Sequence, residues 1–286
     1  MPSSGQISLG DARTELPADY SPTSQITLND TAVRTLFDKT GASTNIGLAD
    51  GYGKSNRKSL PVIASTQTNL SINVSTLSGY VAGKSDITIT INSGTIISST
   101  STGSPALTIS GAVAGDTVTL INNGTIVGRG GNGGNGGGGN LQSPSAGGSG
   151  GTAISLGCAV SIRNNGTIGG GGGGGGGGSQ YTGAQTVGTL GGGGGGGAGY
   201  GSGGNYNGGT GTANSGGGGG SNGSVGGTGG GLGASGATGG GASFRTQFAF
   251  LTISNGQSGG SGGAAVARNG NTLTWLTQGT VYGSVS

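Results

Sequence analysis

The sequence predicts a mostly β protein with an irregular, glycine-rich bundle of polyglycine-II helices and short α-helices in its N-terminal segment. Three observations support this fold class. Residues 59–127 alternate apolar and polar side chains and are rich in β-branched residues. Glycine supplies 78 of the 286 residues, several times the usual ~7%. Helix-start patterns recur within residues 1–58.

The N-terminal residues 1–58 contain an imperfect triplet: GQISLGDA (5–12), SQITLNDT (24–31) and TNIGLADG (44–51). The aligned positions are Ile7, Ile26 and Ile46; Leu9, Leu28 and Leu48; and Asp11, Asp30 and Asp50. In the first two units a hydroxyl residue stands three positions before the aspartate, which predicts a capped helix start. Gly47 replaces that hydroxyl in the third unit, so no helix is predicted there. Because three short units bury little surface alone, we expect a segment that orders against a partner.

A second repeat begins within the predicted strands of residues 59–127 and continues beyond them. The sequence N-x-G-T-I occurs at 91–96, 121–126 and 163–168, with a weaker copy in TQGTVYG at 277–283. A strand precedes each copy, and a second short apolar run lies upstream of three copies. The unit is thus strand, turn, strand, N-x-G turn and then T-I or T-V. Such a unit is typical of stacked β-rungs, although an ordinary antiparallel β-domain, or a β-sandwich, fits the pattern too.

Glycine tracts are inserted between these β-units, and the repeat resumes after them. We therefore expect the tracts to leave a β-base and return to it. The predicted divisions are an attachment segment (1–58), a β-rich base (59–127), a glycine-rich domain with an embedded β-unit (128–242, with 152–168), and a C-terminal β-segment (243–286).

Residues with side chains recur every third position within the tracts. The examples are Arg129, Asn132 and Asn135; Ser258, Ser261 and Ala264; and Val225 and Thr228. Period three is the repeat of the polyproline-II family of helices. Collagen also has it but needs abundant proline, and this chain has 6 prolines. Many laterally bonded tracts could offset the high ordering cost of glycine, whereas the alternative is a flexible linker.

The inserts between the tracts are polar and uncharged. If the tracts are rigid, the inserts at 140–149, 179–190, 200–215 and 221–225 are turns at their ends. Tyrosine beside serine, glycine and asparagine is the composition of antibody-type binding loops. The predicted receptor-binding residues are Tyr181, Tyr200, Tyr206, Gln180, Asn205 and Asn207. The alternative is that each tyrosine only covers the end of a tract.

Composition excludes several classes of site. The chain has no histidine and one cysteine, so histidine or cysteine metal sites and histidine-based triads are excluded. Cys158 lies in an apolar run and is expected to be a buried structural thiol. After residue 59 the only acids are Asp86 and Asp116, both in turn-like contexts. We therefore expect no enzyme activity and no metal or other cofactor.

Binding to nucleic acid or insertion into a membrane is not predicted either. The only cluster of basic residues is KSNRK at 54–58, which we interpret as a solvated linker. No stretch approaches the ~18 apolar residues of a membrane span, and the N-terminus lacks an apolar signal core.

Alternating glycine tracts and short inserts over residues 128–242 resemble the receptor-binding adhesins at the long-tail-fibre tips of T-even-type phages. The N-terminal stretch from SSGQISLGDARTEL to GLADGYGKSN resembles the start of many phage tail-fibre and baseplate proteins. The resemblance implies a virion protein, made in the host cytoplasm without a signal peptide. It also implies docking of residues 1–58 to a baseplate or tail protein and binding of the inserts to a host surface protein or polysaccharide. The chain departs from the tip adhesins in having its own virion-type N-terminus, so we expect a whole fibre rather than a tip cap, and a homotrimer rather than a monomer. The alternative is a glycine-rich structural or ice-binding protein.

Overall fold

A computed structural model describes residues 8–16, 26–39, 46–51, 57–138, 142–179, 181–183, 190–241, 251–253 and 255–286. Across this part of the chain the protein is mostly β, with a few short helices. Within the same residues, the helices are too short and too polar to cross a membrane.

The helices lie mainly in the N-terminal segment. They are α1 Leu9–Glu15, α2 Thr31–Leu36 and two 3-10 helices, Leu48–Gly51 and Val74–Thr76. Ser8 caps α1 in a reciprocal capping box with Asp11, as the sequence predicts. The third unit also begins a short helix, because Asp50 accepts a hydrogen bond from the Gly47 amide (2.9 Å) without needing a hydroxyl. The prediction of no helix there was wrong.

The strands of the described residues begin after the three short helices of the N-terminal triplet. In chain order they are β1 Lys58–Ala64, β2 Gln67–Thr68, β3 Leu70–Asn73, β4 Ser85–Ile91, β5 Ile96–Ser98, β6 Leu107–Ser110, β7 Thr117–Asn122, β8 Thr125–Val127, β9 Ile154–Leu156, β10 Val160–Asn164, β11 Thr167–Gly169, β12 Tyr181–Gly183, β13 Ser221–Asn222, β14 Ser224–Val225, β15 Leu251–Ile253, β16 Val266–Ala267, β17 Leu273–Thr277 and β18 Thr280–Tyr282.

Most of these strands form a parallel β-solenoid. Its three sheets have the orders β1-β4-β7-β10-β17, β2-β5-β8-β11-β18 and β3-β6-β9-β16. The chain visits each sheet once per rung, and every pair of neighbours in these sheets is parallel. Of the alternatives left by the sequence, the stacked-rung arrangement is therefore correct.

The solenoid interior is filled by alternate side chains of each strand. Along β4 the inward residues Ile87, Ile89 and Ile91 are buried and the residues between them are half-buried. The other rungs contribute residues such as Leu120 and Ile162, both completely buried. Each such side chain contributes about 1.5–3 kcal/mol relative to an exposed one, so the core accounts for the stacking of the rungs.

The N-x-G-T-I copies stack on one another, with one bulge and one displaced copy. The T-I or T-V parts of the copies at 121–126, 163–168 and 277–283 are in register, so that Ile126, Ile168 and Val281 are neighbours. A bulge precedes this part of the last copy, because Ile162 pairs with Trp275 but Arg163 pairs with Thr277. The first copy is displaced, because Ile97 and not Ile96 pairs with Ile126. Its turn is longer: the chain uses residues 92–95 where the next rung uses only 123–124. The buried residue of that strand is accordingly Ile97.

The asparagines of two copies form a buried ladder. Asn122 Nδ2 donates to Asn164 Oδ1 (2.8 Å), and Asn164 Nδ2 donates to the carbonyls of Gln278 (2.8 Å) and Thr280 (2.9 Å). Both asparagine side chains are fully buried. The ladder therefore satisfies the carbonyl groups that the N-x-G turns leave facing the core.

Replacing Asn164 with alanine is expected to destabilise the solenoid strongly. Each buried polar group left without a partner costs about 1–3 kcal/mol. The change removes the partner of the Asn122 side-chain amide and of the Gln278 and Thr280 carbonyls. We therefore expect a loss on the order of 3 kcal/mol in unfolding free energy. The exposed neighbour Asn165, whose side chain donates to the exposed side chain of Asn123, is the control, and its replacement should cost less than about 0.5 kcal/mol. Denaturant titrations of both variants measure the difference; equal losses would contradict the ladder's role.

Candidate functional site

The glycine tracts leave the solenoid at one corner, after β8 and after β11. Residues 169–179 form a central tract in which successive amide groups point to three different neighbouring tracts. These amides donate to carbonyls of residues 145–151, 192–198 and 234–240, while the central carbonyls accept from amides of residues 128–137, 227–233 and 257–263. Each neighbour is met at every third residue. The central tract is thus bonded through its backbone to six neighbours.

Close approach of these backbones requires glycine. A Cβ atom built on Gly173, Gly174 or Gly175 would lie closer than 3.0 Å to a backbone carbonyl of a different neighbouring tract. Several side chains of the tracts face solvent, whereas Ala198 is buried: Asn132 and Asn135 are exposed. The same holds for Ser258, Ser261, Val225 and Thr228. These exposed positions recur with the period of three read from the sequence, whereas Arg129 and Ala264 of the same rows are half-buried.

The pairing directions define two ends of this glycine lattice. Residues 128–137 run alongside the central tract in the same direction, from Gly128–Gly169 to Gly137–Gly178. We call the end next to β8 and β11 the base end and the opposite end the far end. Residues 191–197 run back towards the base, because Gly191 bonds to Gly137 and Gly197 to Gly131. An apolar cluster of Val127, Ala198 and Leu232 closes the base end.

Several turns gather at the far end. The hairpin of β13 and β14 lies there, since the Ser224 carbonyl accepts from the Gly192 amide (2.8 Å) and the Ser224 hydroxyl donates to the Ser179 carbonyl. Val225 of this hairpin is 56% exposed. The pair β12 and β15 follows the far end of the central tract and pairs antiparallel. The far end is therefore a set of turns supported by a close-packed lattice.

Only some of the residues expected to bind lie together. Tyr206 is at the far end, with its carbonyl accepting from Gly193 (3.2 Å) and its hydroxyl close to Gly138. Asn205 and exposed Asn207 flank it. Tyr200 lies at the base end, where its amide donates to Thr212 (3.2 Å). Tyr181 belongs to β12, whose side chains are not described, and Gln180 lies outside the described residues.

The asparagines have a second role that the sequence did not reveal. The Asn205 side-chain oxygen accepts from the Gly136 backbone amide (2.7 Å). The Asn205 backbone amide donates to the side-chain oxygen of Asn135 (3.1 Å). Asn132 likewise accepts from the Ser202 amide (3.2 Å). These contacts fasten residues 202–205 along the outer row of the tract at 128–137. The spacing of Asn132 and Asn135 by three was the available signal.

Two of the tyrosines hold unusual backbone conformations. Tyr200 has φ 67°, Tyr206 has φ 52°, and Asn207 has φ 68°. A left-handed conformation costs an L-residue roughly 1–2 kcal/mol relative to glycine. Such local strain persists where the surrounding structure imposes it and is common at functional sites. At the far end, the left-handed conformations of Tyr206 and Asn207 turn the chain back.

The residues predicted for attachment lie in three turns of the N-terminal segment, except Ile7, which is outside the described residues. Leu9, Ile26, Leu28 and Ile46 belong to or pack against a small apolar cluster with Phe37. Asp11 and Asp30 each accept from the amide three residues earlier, those of Ser8 (2.7 Å) and Thr27 (3.0 Å). Asp50 makes the corresponding bond and follows Leu48 in the 3-10 helix.

The two acids of the solenoid are engaged in structural contacts. Asp86 receives hydrogen bonds from Arg57 Nε (2.8 Å), Arg57 Nη2 (2.6 Å) and Thr117 (2.6 Å). Asp116 receives them from the Tyr80 hydroxyl (2.6 Å) and two backbone amides. The hydrogen bond from Arg57 lowers the pKa of Asp86. Burial raises the pKa of Asp116, but the hydrogen bonds outweigh it, so this pKa is also lowered.

Replacing Asp86 with asparagine is expected to lower the melting temperature at neutral pH but not in acid. Because the folded-state pKa of Asp86 lies below its unfolded value of about 3.9, its stabilisation is present above that value and is lost as pH falls through the folded pKa. The gap in melting temperature between the wild type and Asp86→Asn should therefore shrink below about pH 4. A gap that stays constant down to low pH would contradict this role.

The comparison with protein families decides the identity of this architecture. The sequence profile of the family described as phage tail fibre adhesin Gp38 matches residues 60–286. The chain belongs to this family. The protein is therefore a bacteriophage tail fibre adhesin, a virion component for attachment to the host. Membership in a family of adhesins points to binding rather than catalysis.

A solved structure is similar to this adhesin over most of its length. It is the gp37-gp38 adhesin tip complex of the bacteriophage S16 long tail fibre, with 27% sequence identity and a TM-score of 0.54. The similarity covers 89% of this chain and 91% of that chain. A search of curated protein sequences found no match. The solenoid and glycine lattice of the adhesin lie within the matched family region.

Proposed function

We propose that the far end of the glycine lattice binds the host receptor. The observation that carries this proposal is the collection of turns at that end, on a support whose backbones are bonded on all sides. A rigid support lowers the entropy lost when its loops bind. Tyr206, Asn207 and the exposed hairpin of β13 and β14 supply the aromatic and polar contacts that binding loops use. In the sequence, Gln180 and Tyr181 directly follow the central tract.

We also propose that the tracts are polyglycine-II helices. The recurrence of each neighbour at every third residue, and the exposure of side chains with the same period, support this conformation. In this proposal each helix has three rows of residues, and a Cβ atom is tolerated mainly in a row that faces solvent.

The receptor in this proposal is an outer-membrane protein or a polysaccharide of the host. No charged residue lies between Arg163 and Arg245 in the sequence. For the inserts within that stretch, recognition in this proposal rests on hydrogen bonds, apolar contacts and shape rather than on ion pairs. Tyr200, at the base end, is expected to contribute less than Tyr206.

At the other end of the chain, we propose that residues 1–58 attach the adhesin to another tail or baseplate protein. The similar S16 structure is a complex of two proteins, which supports a protein partner in the fibre. The homotrimer expected from the N-terminal sequence remains a prediction. All six neighbours of the central tract come from the same chain, so the lattice does not itself call for a second copy; sedimentation of the purified adhesin measures its state.

Competition with the phage tests the receptor proposal. The purified adhesin, added in excess to host cells, should occupy the receptor and slow adsorption of the phage that carries it. The same amount of adhesin should leave adsorption of a phage with a different receptor unchanged. If adsorption of its own phage continues at the normal rate although the adhesin is folded, the receptor-binding proposal is wrong and the structural alternative gains support.

A further inference from the structure

Eight asparagines of this chain are followed directly by glycine, and such pairs can modify themselves. The glycine amide loses its proton, and its nitrogen attacks the asparagine Cγ, unhindered by a Cβ atom on the glycine. The new C–N bond closes a succinimide ring, and the bond from Cγ to Nδ2 breaks as ammonia leaves with a proton from water. Water then opens the ring to aspartate or isoaspartate. The pairs begin at Asn123, Asn132, Asn135, Asn165, Asn207, Asn222, Asn255 and Asn269.

A hydrogen bond from the glycine amide protects a pair, because the nitrogen must leave its acceptor before it can attack. Four pairs are held in this way: Gly124 donates to the Asn122 side chain (3.2 Å), Gly136 to the Asn205 side chain (2.7 Å), Gly133 to the Ser202 carbonyl (2.8 Å) and Gly166 to the Asn122 carbonyl (3.0 Å). A fifth pair is held through its asparagine, since Asn269 Nδ2 donates to Ser155 Oγ (2.9 Å) and to the Leu156 carbonyl (3.1 Å).

The other three pairs have neither restraint, and all three lie at the far end of the glycine lattice. They are Asn207-Gly208, Asn222-Gly223 and Asn255-Gly256. Within the part of the chain that the structure describes, none of these glycine amides donates to an acceptor, and each asparagine is exposed. The first pair follows Tyr206, and the second forms the turn of the far-end hairpin. The third lies beside the last residues of the central tract, because the Gln257 amide donates to the Gly177 carbonyl (3.0 Å).

We propose that these three pairs are modification sites, which convert spontaneously to aspartate or isoaspartate and so weaken receptor binding as the adhesin ages. Asn207 and Asn222 lie in the stretch between Arg163 and Arg245 that contains no charged residue. Each conversion there places a carboxylate among loops whose recognition is otherwise uncharged, and isoaspartate also lengthens the main chain by one carbon. The effect on binding rests on the receptor role proposed above, whereas the modification rests on the contacts of the glycine amides alone.

The test follows the full adhesin during storage in mildly alkaline buffer, which removes the glycine amide proton more readily. Mass mapping of chymotryptic peptides should show conversion at Asn207, Asn222 and Asn255 on the order of 10-fold faster than at Asn165, whose pair is protected by a hydrogen bond. Circular dichroism at each time point confirms that the adhesin stays folded.

A variant tests the cause of this selectivity. Asn205→Ala removes the acceptor of the Gly136 amide, so conversion at Asn135 should become faster by a similar factor while conversion at Asn165 stays slow. Ion exchange of the aged wild type then separates converted from unconverted adhesin. The converted fraction should bind host cells on the order of 10-fold more weakly, because a new carboxylate loses hydration at the interface without a partner.

The outcomes separate the modification from the receptor role. Conversion at Asn165 as fast as at the far-end pairs, or no acceleration at Asn135 in Asn205→Ala, overturns the modification sites. Selective conversion with equal binding by both fractions overturns the effect on the receptor and leaves the sites intact. If fresh adhesin does not bind host cells, the proposed function and the effect on binding both fail, while selective conversion still supports the sites.

Discussion

A single methyl group at Gly174 is expected to disrupt the glycine lattice. In Gly174→Ala the added Cβ atom would lie closer than 3.0 Å to the Asn132 carbonyl and near the Gly133 amide. These are backbone atoms held by their own hydrogen bonds, so they cannot move as a flexible side chain would. We expect a loss on the order of 3 kcal/mol in unfolding free energy, or failure of the glycine-rich domain to fold, measured by denaturant titration and hydrogen exchange.

Gly218→Ala is the matched control for this effect. Gly218 also lies in a run of glycines, but a Cβ atom there meets nothing within 4 Å. Alanine restricts the unfolded chain, so this variant should be neutral or more stable by about 0.4–1 kcal/mol. The two variants therefore differ in sign although their chemistry is the same. Similar stabilities for both would show that the tracts are not packed as described.

Removing the Tyr206 side chain is expected to abolish most receptor binding without destabilising the adhesin. In Tyr206→Gly the left-handed backbone at φ 52° becomes favourable, which offsets the lost packing of a half-buried ring. Loss of an aromatic hot spot costs at least about 2 kcal/mol, or roughly 30-fold in affinity. Binding of labelled adhesin to host cells measures this loss.

Tyr200→Gly provides the comparison. This variant also removes a tyrosine side chain from a residue with a left-handed backbone conformation (φ 67°), but the residue lies at the base end. We expect the binding of this variant to remain close to that of the wild type. If Tyr200→Gly loses binding and Tyr206→Gly keeps it, the receptor lies at the base end and the proposed orientation is reversed.

The β-repeats could be predicted from the sequence because their turns and strands are specified by particular side chains. The N-x-G turns need glycine and a ladder-forming asparagine, and the strands between them alternate apolar and polar residues. The two additional residues in the first turn were not predicted, since INSGTI and INNGTI look alike in sequence. Only the pairing of Ile97 with Ile126 reveals the shift.

The placement of the tyrosines was not predictable in the same way. Which end of the lattice an insert occupies depends on the direction of each tract, and direction is set by backbone bonds between glycines. One glycine cannot be told from the next, so the sequence carries no register. It therefore grouped Tyr200 with Tyr206, whereas the backbone bonds place Tyr200 at Thr212 and Tyr206 at Gly193, at opposite ends.

Blocking either end of the lattice tests the central claim most directly. Asn222→Cys places a thiol on the exposed far-end hairpin, and Asn214→Cys places one in the exposed base-end turn; a bulky maleimide polymer is then attached to each. The native Cys158 should not react, because it is buried and burial raises its pKa. We predict that the far-end polymer abolishes binding to host cells and that the base-end polymer leaves it intact. Binding that survives the far-end polymer but is lost with the base-end polymer would contradict the account.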